Sequence, residues 1–288
     1  MDAWQGDEIA FLGGGNMARA LIAGLLRQGL PAACIRVGEP QAALRTALAA
    51  DFDVRTGADN APMLAGATLI VLAVKPQDAV TALQSLRVMP PAPGAGAPTL
   101  LSIAAGLTIE SLTRASPPAM AIVRAMPNRA ALVGAGVTGL YAPEATPAAA
   151  RAAAERVARA AGQAVWLRHE AELDLVTALS GSGPAYFFLL AEQLAAAATD
   201  LGLSAETANL LAAETLYGAG LLAHRATVGG SASTLSAERR AVTSRGGTTE
   251  AALRVLAEGG FDALVQRALQ AAASRSAELA AAGANTAR

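Results

Sequence analysis

Short apolar runs alternate with helix-like periodicity along the first half of the chain. Each apolar run predicts a strand, and the runs occupy residues 8–12, 34–37, 68–74, 99–103 and 119–125, with further candidates at 133–141 and 164–167. Segments with helical periodicity lie between these runs. One ends near residue 28, one spans 41–50, one ends near residue 86 and one spans 147–161. Such alternation is typical of a doubly wound α/β domain, in which ligands bind beyond the carboxyl ends of parallel strands.

From about residue 170 the periodicity is helical to the end of the chain. The predicted fold is therefore an α/β Rossmann-like N-terminal domain, residues 1–168, followed by an all-α domain, residues 169–288. A helix that begins at Pro184 is expected to bury apolar side chains on more than one side. These side chains include Tyr186, Phe187, Leu190 and Leu194. Because such a helix needs partners, we expect dimerisation through the helical half.

Composition disfavours several classes of function. The 288 residues are 53% hydrophobic and 16% charged, and 22 Lys and Arg residues balance 23 Asp and Glu residues. The chain therefore lacks the basic excess that attracts nucleic acid or an anionic membrane. Its first residues are acidic, unlike a signal peptide, and the apolar stretch 184–198 is short for a membrane span. We expect neither nucleic acid nor a membrane as a partner.

The supply of reactive side chains is small. Cys34 is the one cysteine, which fits a reducing cytoplasm, and the two histidines are His169 and His224. These three residues cannot assemble a usual metal cluster, so we expect no metal site. We interpret both histidines as surface or packing residues. The chemistry is therefore expected to come from a bound cofactor.

A glycine-rich turn follows the first predicted strand. Gly13, Gly15 and Ala18 fit the G-x-G-x-x-G/A pattern directly before a helix. Glycines allow the tight turn and let a pyrophosphate reach the N–H groups at the helix N-terminus. Glu39 follows the second strand at the offset where a carboxylate binds the adenosine ribose 2′-OH, which favours NADH. Arg45 could offset this preference, and a solvated turn at Glu39 is an equal alternative.

Six motifs occur in a fixed order along the chain. They are FLGGGNM at 11–17, VLAVKPQ at 71–77, SIAAG at 102–106, RAMPN at 124–128, LSGSGPAY at 179–186 and RRAVTSRGGTT at 239–249. Together they resemble the pyrroline-5-carboxylate reductases, over about residues 9–279. Many dehydrogenases share the first motif, whereas the last two are much more specific to this family.

The resemblance implies reduction of 1-pyrroline-5-carboxylate to L-proline, the last step of proline biosynthesis, by hydride transfer from NADPH or NADH. NADPH is the usual cofactor of the family, and a homo-oligomer, at least a dimer, is implied. Thr249 would be catalytic, because its hydroxyl can bond the imine nitrogen and orient it or help deliver a proton. The residues implied to bind substrate are Ser244, Gly246, Gly247, Thr248, Thr249, Asn128 and Ser182. The residues implied to bind cofactor are Gly13, Gly15, Asn16, Met17, Glu39, Asn60, Ala73, Val74, Lys75, Pro76, Ala104, Ala105 and Gly106.

Several of these residues have structural alternatives. Ser244 and the amides of 247–249 are implied to hold the substrate carboxylate at a helix N-terminus, but Thr248 or Thr249 could simply cap that helix. Residues 180–184 could line the site or only shape the start of a helix. Lys75 could be solvated, and Asn60 could be a helix cap.

Two arginines depart from the family pattern. Arg129 follows Asn128 where the family has threonine, and Arg245 stands where it has proline. One hypothesis is that either arginine binds an additional anion. The second hypothesis is that both arginines are tolerated variation in exposed loops. The alternative functions are a related cyclic-imine reductase with a shifted substrate and a non-catalytic NAD(P)-binding sensor. A β-hydroxyacid reductase is disfavoured because residues 170–288 contain no lysine.

Overall fold

The computed structural model describes residues 4, 6–87, 97–118, 120–228 and 234–286. The strands are β1 (Ile9–Leu12), β2 (Ile35–Gly38), β3 (Arg55–Gly57), β4 (Leu69–Leu72), β5 (Thr99–Ser102), β6 (Ile122–Met126), β7 (Gly136–Tyr141) and β8 (Gly162–Trp166). The helices are α1 (Asn16–Arg27), α2 (Ala42–Phe52), α3 (Asn60–Leu64), α4 (Ala79–Arg87), α5 (Ile109–Ala115), α6 (Ala148–Arg159), α7 (Glu172–Val176), α8 (Gly183–Asp200), α9 (Ala205–Thr227), α10 (Leu235–Ala241), α11 (Thr248–Glu258) and α12 (Phe261–Thr286). In the described ranges, 3₁₀ turns occupy Ala32–Cys34, Pro76–Asp78 and Arg129–Val133, and a π turn at Thr177–Gly181 joins α7 to α8.

Within the described residues the strands form one eight-stranded sheet, in the order β3-β2-β1-β4-β5-β6-β7-β8. The pairs run parallel except for β6 and β7, which are antiparallel. This pair can be antiparallel because the connection 127–135 is short and contains no crossover helix. The order β3-β2-β1-β4-β5 is that of a Rossmann fold, which confirms the predicted fold of the first half.

The predicted strands are present, and the structure adds β3, α3 and α5. Strand β3 has the sequence Arg-Thr-Gly and lies at the edge of the sheet, so it carries no apolar run. Ala119 of the fifth predicted strand and residues 89–96 of the connector before β5 lie outside the described residues. Residues 229–233 of the helical half also lie outside them.

Two apolar clusters cover the two faces of the sheet. Successive residues of a strand point to opposite faces, so Phe11 of β1 belongs to one cluster and its neighbour Leu12 to the other. Side chains of α1 and α6 complete the first cluster, and those of α4 and α5 complete the second. Strand β4 is buried along its whole length, which explains the continuous apolar run there.

The chain divides into two compact units, Met1–Ser182 with Ala272–Arg288, and Gly183–Ala271. In the second unit α8 packs against α9, but many apolar side chains stay exposed, including Phe187 (59%) and Leu194 (58%). The predicted burial of the four apolar side chains on α8 is therefore wrong for a single chain. Their exposure leaves an apolar surface of the kind that marks protein contacts. The domain boundary after residue 168 stays a prediction.

One helical segment, Glu172–Asp200, is long and apolar enough to cross a membrane by length and composition. The structure extends the helix from 184 back to 172 through α7 and the π turn. The helix is therefore longer than the apolar stretch 184–198, and the prediction that it is too short to span a membrane is wrong. A single such helix is only a weak indication of a membrane span, because core helices of water-soluble proteins have the same length and composition.

Candidate active site

The turns after β2, β1, β4 and β5 lie side by side, because these four strands are neighbours in the sheet. Backbone hydrogen bonds extend the strand pairing into the turns. Gly13 N–H donates to Gly38 O (2.8 Å), and Ala73 N–H donates to Leu12 O (2.8 Å). The residues implied to bind cofactor in these turns therefore share the carboxyl edge of the sheet, where Rossmann domains bind their ligands.

Gly13 occupies a position that other residues cannot take without strain. Its φ is +96°, a left-handed conformation that L side chains rarely adopt. A Cβ on Gly13 would lie 2.8 Å from Ala73 O and 2.9 Å from Val74 Cγ1. The first glycine of the turn is thus required both by its backbone conformation and by the close approach of the chain after β4.

The N-terminus of α1 is open. Gly15 is the N-cap residue, no side chain caps the helix there, and a Cβ on Gly15 would meet no atom within 4 Å. The first N–H to bond within the helix is that of Arg19, which donates to Gly15 O. The N–H groups of Asn16, Met17 and Ala18 therefore precede the intrahelical ladder. This end of α1 fits the pyrophosphate of a dinucleotide, with no side chain in the way.

Glu39 is turned inward at the end of β2. Glu39 is only 5% exposed, so the alternative that it lies in a solvated turn is wrong. One carboxylate oxygen accepts from Gly14 N–H (2.9 Å) and the other from Gln41 N–H (2.8 Å). Arg45 Nη1 donates to Glu39 O (2.8 Å) and to Pro40 O (2.7 Å), which holds a guanidinium beside the same turn.

Asn60 begins α3 and lies against the end of β2. A Cβ on Gly38 would clash with Asn60 Oδ1, so the two backbones approach closely. The N-cap of α3 is Asp59, whose side chain accepts from Ala61 N–H. Capping by Asn60 is therefore not needed, and Asn60 lies beside the turn that carries Glu39.

The turns after β4 and β5 present mainly backbone. Lys75, Pro76 and Ala105 are exposed, whereas the side chain of Ala104 is buried in the cluster on the second face of the sheet. Only the backbone of Ala104 can face a ligand. Gly106 adopts φ +76°, and a Cβ there would lie 3.4 Å from Leu279 O near the end of α12.

Asn128 follows β6 and is 9% exposed. Its Oδ1 accepts from Val137 N–H at 3.1 Å, which ties the 3₁₀ turn Arg129–Val133 to the start of β7. With Oδ1 fixed, the side-chain NH₂ points the other way and is the group that can donate to a ligand. Arg129 itself is exposed at the start of the 3₁₀ turn.

Ser182 follows the π turn, a distortion that often occurs at functional sites. Its N–H donates to Thr177 O (2.8 Å). A Cβ on Gly181 would lie 2.8 Å from Met126 Cε, so the turn packs tightly on the end of β6. The LSGSG motif therefore shapes the chain beside RAMPN, and the Ser182 side chain is half-buried there.

Both histidines are exposed, as interpreted from the sequence. His169 contributes its backbone: its N–H (3.0 Å) and that of Arg168 (2.8 Å) donate to the Glu172 carboxylate. These two backbone donors lower the pKa of Glu172, which keeps a negative charge at the start of α7.

The TSRGGTT loop forms the N-terminus of α11. Gly246 adopts φ +71°, and Gly247 is the N-cap residue with no side-chain cap. A Cβ on Gly247 would clash with Ser244 Oγ, so the serine hydroxyl lies against the helix start. Thr248 is exposed and Thr249 half-buried at the first two helical positions.

The amides of this loop differ in availability. Gly247 N–H, implied to bind the substrate carboxylate, instead donates to Ser244 O at 3.1 Å and closes the turn. The first intrahelical bond runs from Ala251 N–H to Gly247 O. The N–H groups of Thr248, Thr249 and Glu250 therefore precede the ladder and are the ones that can bind an anion.

Two glutamates that fix these loops by hydrogen bonds have no place in the sequence predictions. Glu250 Oε2 accepts from Gly246 N–H at 2.7 Å, and a glutamate three residues after the N-cap is the signal that could have identified it. Glu170 joins β6 to the start of α5: its Oε1 accepts from Arg124 Nη1 and from Ile109 N–H, each at 2.7 Å. Nothing in the local sequence marks Glu170, because its partners lie on β6 and at the start of α5.

Two family models match the chain. One describes pyrroline-5-carboxylate reductase dimerisation and covers residues 170–279. The other describes a coenzyme F420-dependent NADP oxidoreductase and covers residues 8–106. The first falls on the helical half and the second on the part of the sheet that carries the glycine-rich turn.

Relatives of similar length match almost the whole chain. The pyrroline-5-carboxylate reductase of Pseudomonas aeruginosa is 46% identical over 274 residues, which cover 94% of this chain and 96% of that protein. That of Haemophilus influenzae is 41% identical over 272 residues, covering 94% and 97%.

Solved structures of a pyrroline-5-carboxylate reductase and of a pyrroline carboxylate reductase share the fold. The structure from Coxiella burnetii is 37% identical with a TM-score of 0.87, covering 95% of this chain and 98% of that one. The structure from Plasmodium falciparum, which has NADP bound, is 25% identical with a TM-score of 0.77, covering 97% and 99%. Identity at this level over nearly the full length, together with the motifs placed above, means that the chain belongs to the pyrroline-5-carboxylate reductase family.

Proposed function

We propose that this protein reduces 1-pyrroline-5-carboxylate to L-proline with NAD(P)H, the last step of proline biosynthesis. The observation that carries the proposal is the N-terminus of α11, where the N–H groups of Thr248 and Thr249 precede the helical ladder beside the Ser244 hydroxyl. A small carboxylate fits this position, because free amides and the helix dipole both favour a negative charge. The relatives named above are reductases of such a substrate.

The proposed mechanism needs few ionisable groups. When bound, the reduced nicotinamide supplies a hydride to the C=N carbon of the imine. The chain holds the substrate carboxylate with Ser244 and the amides of Thr248 and Thr249. The Thr249 hydroxyl bonds the imine nitrogen, orients it and helps deliver its proton. Asn128 and Ser182 complete the proposed substrate contacts, and Gly246 and Gly247 let the backbone wrap round the anion.

The site residues for the cofactor are those at the carboxyl edge of the sheet. The amides of Asn16 and Met17 hold the pyrophosphate, with Gly13 and Gly15 keeping side chains out of the way. Backbone groups of residues 73–76 and 104–106 border the same edge, and Asn60 lies toward the adenosine end.

We propose NADPH as the preferred cofactor. Arg45 holds its guanidinium at the end of β2, near the position where Rossmann domains bind the adenosine ribose, and an arginine there accommodates a 2′-phosphate. One matching family model is described as an NADP oxidoreductase, and the Plasmodium falciparum relative has NADP bound.

We propose a homodimer, or a larger assembly of dimers, formed through the helical domain at residues 169–288. The matching dimerisation model and the exposed apolar side chains on α8 and α9 support homo-oligomerisation. Subunit contact also accounts for the apolar segment Glu172–Asp200 without a membrane. A chain with one cysteine, Cys34, suits the reducing cytoplasm, which is the proposed location.

The test of this function is turnover. Purified protein is mixed with 1-pyrroline-5-carboxylate, and the loss of reduced nicotinamide absorbance is followed with NADPH and NADH in parallel. We expect turnover with both cofactors and a higher kcat/KM with NADPH. Tight dinucleotide binding without turnover would support the non-catalytic sensor, and turnover only with other cyclic imines would support a shifted substrate.

Removing the Glu250 carboxylate should weaken substrate binding. Because its bond to Gly246 N–H fixes the loop, Glu250→Ala is expected to raise KM for the imine about fivefold with a smaller change in kcat, since such caps contribute about 1 kcal/mol. Glu250→Gln keeps an acceptor oxygen and should restore most of the affinity. The control is Glu258→Ala, an exposed change at the other end of α11. Equal KM values for Glu250→Ala and this control would refute a role for Glu250 in the loop.

The two arginines that depart from the family pattern can be restored to it. Both are exposed, so we expect Arg245→Pro and Arg129→Thr to change kcat/KM by no more than about threefold, since surface substitutions usually alter free energies by about 0.5 kcal/mol. The measurement is steady-state kinetics on the parent imine and on an imine with a second carboxylate. A tenfold loss confined to the second substrate would instead show that an arginine binds an additional anion.

A further inference from the structure

Glu39 connects two turns that each follow a strand of the Rossmann sheet. Its Oε2 accepts from Gly14 N–H, in the middle of the glycine-rich turn, 25 residues away. Its Oε1 accepts from Gln41 N–H at the start of α2, and its own N–H donates to Gly57 O at the end of β3. One carboxylate therefore links the turn after β1 to the turn after β2.

Gly14 lies in close contact with the side chains of Leu48 and Glu39. A Cβ on Gly14 would lie 2.5 Å from Leu48 Cδ1 of α2 and 3.4 Å from Glu39 Cγ. The peptide of Gly14 thus rests on Glu39 and Leu48, and its N–H points at the carboxylate rather than at the ligand side. A hydrogen bond to an ionised acceptor is about twice as strong as a neutral one, so the bond fixes the path of the turn.

The same contacts leave Glu39 poorly placed to bind a ribose. Each carboxylate oxygen already accepts a backbone N–H, and the residue is 5% exposed. The charged group that stands at the surface of this turn is the half-buried Arg45 guanidinium, held by the carbonyl oxygens of Glu39 and Pro40. Selection of NADH at this position would need a carboxylate turned toward the ligand, whereas the Glu39 carboxylate is buried against the backbone of Gly14.

We propose that Glu39 is a positioning residue, which braces the glycine-rich turn for any dinucleotide and does not discriminate against the 2′-phosphate. The inference rests on the proposed use of NAD(P)H. Loss of the brace loosens the Gly13–Gly15 turn, which serves the pyrophosphate common to both cofactors. Loss of a ribose acceptor would act differently, because it would remove a contact to NADH and a repulsion toward NADPH.

The two roles are separated by direct binding measurements on Glu39→Gln. Affinities for NADPH and NADH are measured by fluorescence titration without substrate. We expect both dissociation constants to rise by about tenfold, because the amide retains one acceptor and turns an N–H group toward a donor. Their ratio should stay within about twofold of the wild-type ratio, and kcat at saturating NADPH should fall much less than kcat/KM.

The control is Glu155→Gln on α6. Glu155 also accepts two side-chain hydrogen bonds, from Trp166 Nε1 and Arg159 Nε, but outside the turns of the carboxyl edge. The Glu155→Gln protein should have a lower Tm in a thermal melt, with no change in the dissociation constant for NADPH or NADH. Glu39→Asp, which shortens the carboxylate without removing it, supplies a second variant if Glu39→Gln does not fold.

A tenfold change in the ratio of the NADPH and NADH dissociation constants, in Glu39→Gln or Glu39→Asp, would contradict the positioning role and identify Glu39 as a ribose acceptor. Unchanged affinity for both cofactors would overturn it as well. Failure of the proposed function would have a different result, namely cofactor binding without imine reduction. The two dissociation constants are measured without substrate, so they would still test the role of Glu39.

Discussion

Thr249→Val is expected to lower kcat for 1-pyrroline-5-carboxylate by about 100-fold, since a positioned proton donor contributes at least this much to such reactions. Valine keeps the shape and the backbone N–H of the residue and removes only the hydroxyl. Thr249 lies at the second position of α11 and is half-buried. KM for NADPH should not change, because the residues proposed to bind the cofactor belong to the Rossmann sheet.

The matched control for this variant is Thr227→Val. Thr227 is exposed on α9, and its hydroxyl donates to Ala223 O of the same helix. Its loss removes a threonine hydroxyl from a helix without touching the loop at 244–249. A kcat for Thr249→Val within threefold of the control would mean that the Thr249 hydroxyl takes no part in the reaction, and the proton would have to come from water.

Gly13→Ala should abolish most cofactor binding and destabilise the fold. The added methyl group meets Ala73 O and Val74 Cγ1 below 3.0 Å, at a φ of +96°. Left-handed strain and overpacking together are expected to cost about 2–5 kcal/mol of unfolding free energy. The dissociation constant for NADPH should rise by more than about tenfold, because relief of the clash moves the turn that serves the pyrophosphate.

Gly29→Ala separates the two causes. Gly29 follows α1 with a φ of +89°, but a Cβ there would meet no atom within 4 Å. It should show the left-handed strain alone, about 1–2 kcal/mol in urea denaturation, with normal NADPH binding. Equal losses of stability and affinity in the two variants would contradict the account, because the close approach of the chain after β4 would then contribute nothing.

The sequence predicts those parts of the site that depend on short-range pattern. Gly13 and Gly15 stand between an apolar strand and a periodic helix, and the structure places them at a strand-to-helix turn with an open helix N-terminus. The helical half is likewise evident from periodicity. Its exposed apolar side chains are not, because a helix with apolar residues on several sides has the same pattern whether a neighbouring helix or a second subunit covers it.

Contacts between distant segments are what the sequence does not reveal. The spacing of Glu39 from the glycines is that of a ribose acceptor, yet its carboxylate bonds the backbone of Gly14, and a backbone N–H has no sequence signature. Glu170 is equally hidden, since one of its two donors is the Ile109 N–H. The edge strand β3 escapes because three polar or small residues pair through backbone alone.

The most direct test of the central claim follows the hydride itself. The protein is incubated with 1-pyrroline-5-carboxylate and NADPH carrying deuterium at the transferable position of nicotinamide C4, and the product is analysed by mass spectrometry and NMR. We expect proline that carries one deuterium at C5, and Thr249→Val should lower its rate of formation. Unlabelled product, or no proline despite saturating cofactor, would contradict hydride transfer to the imine carbon by this protein.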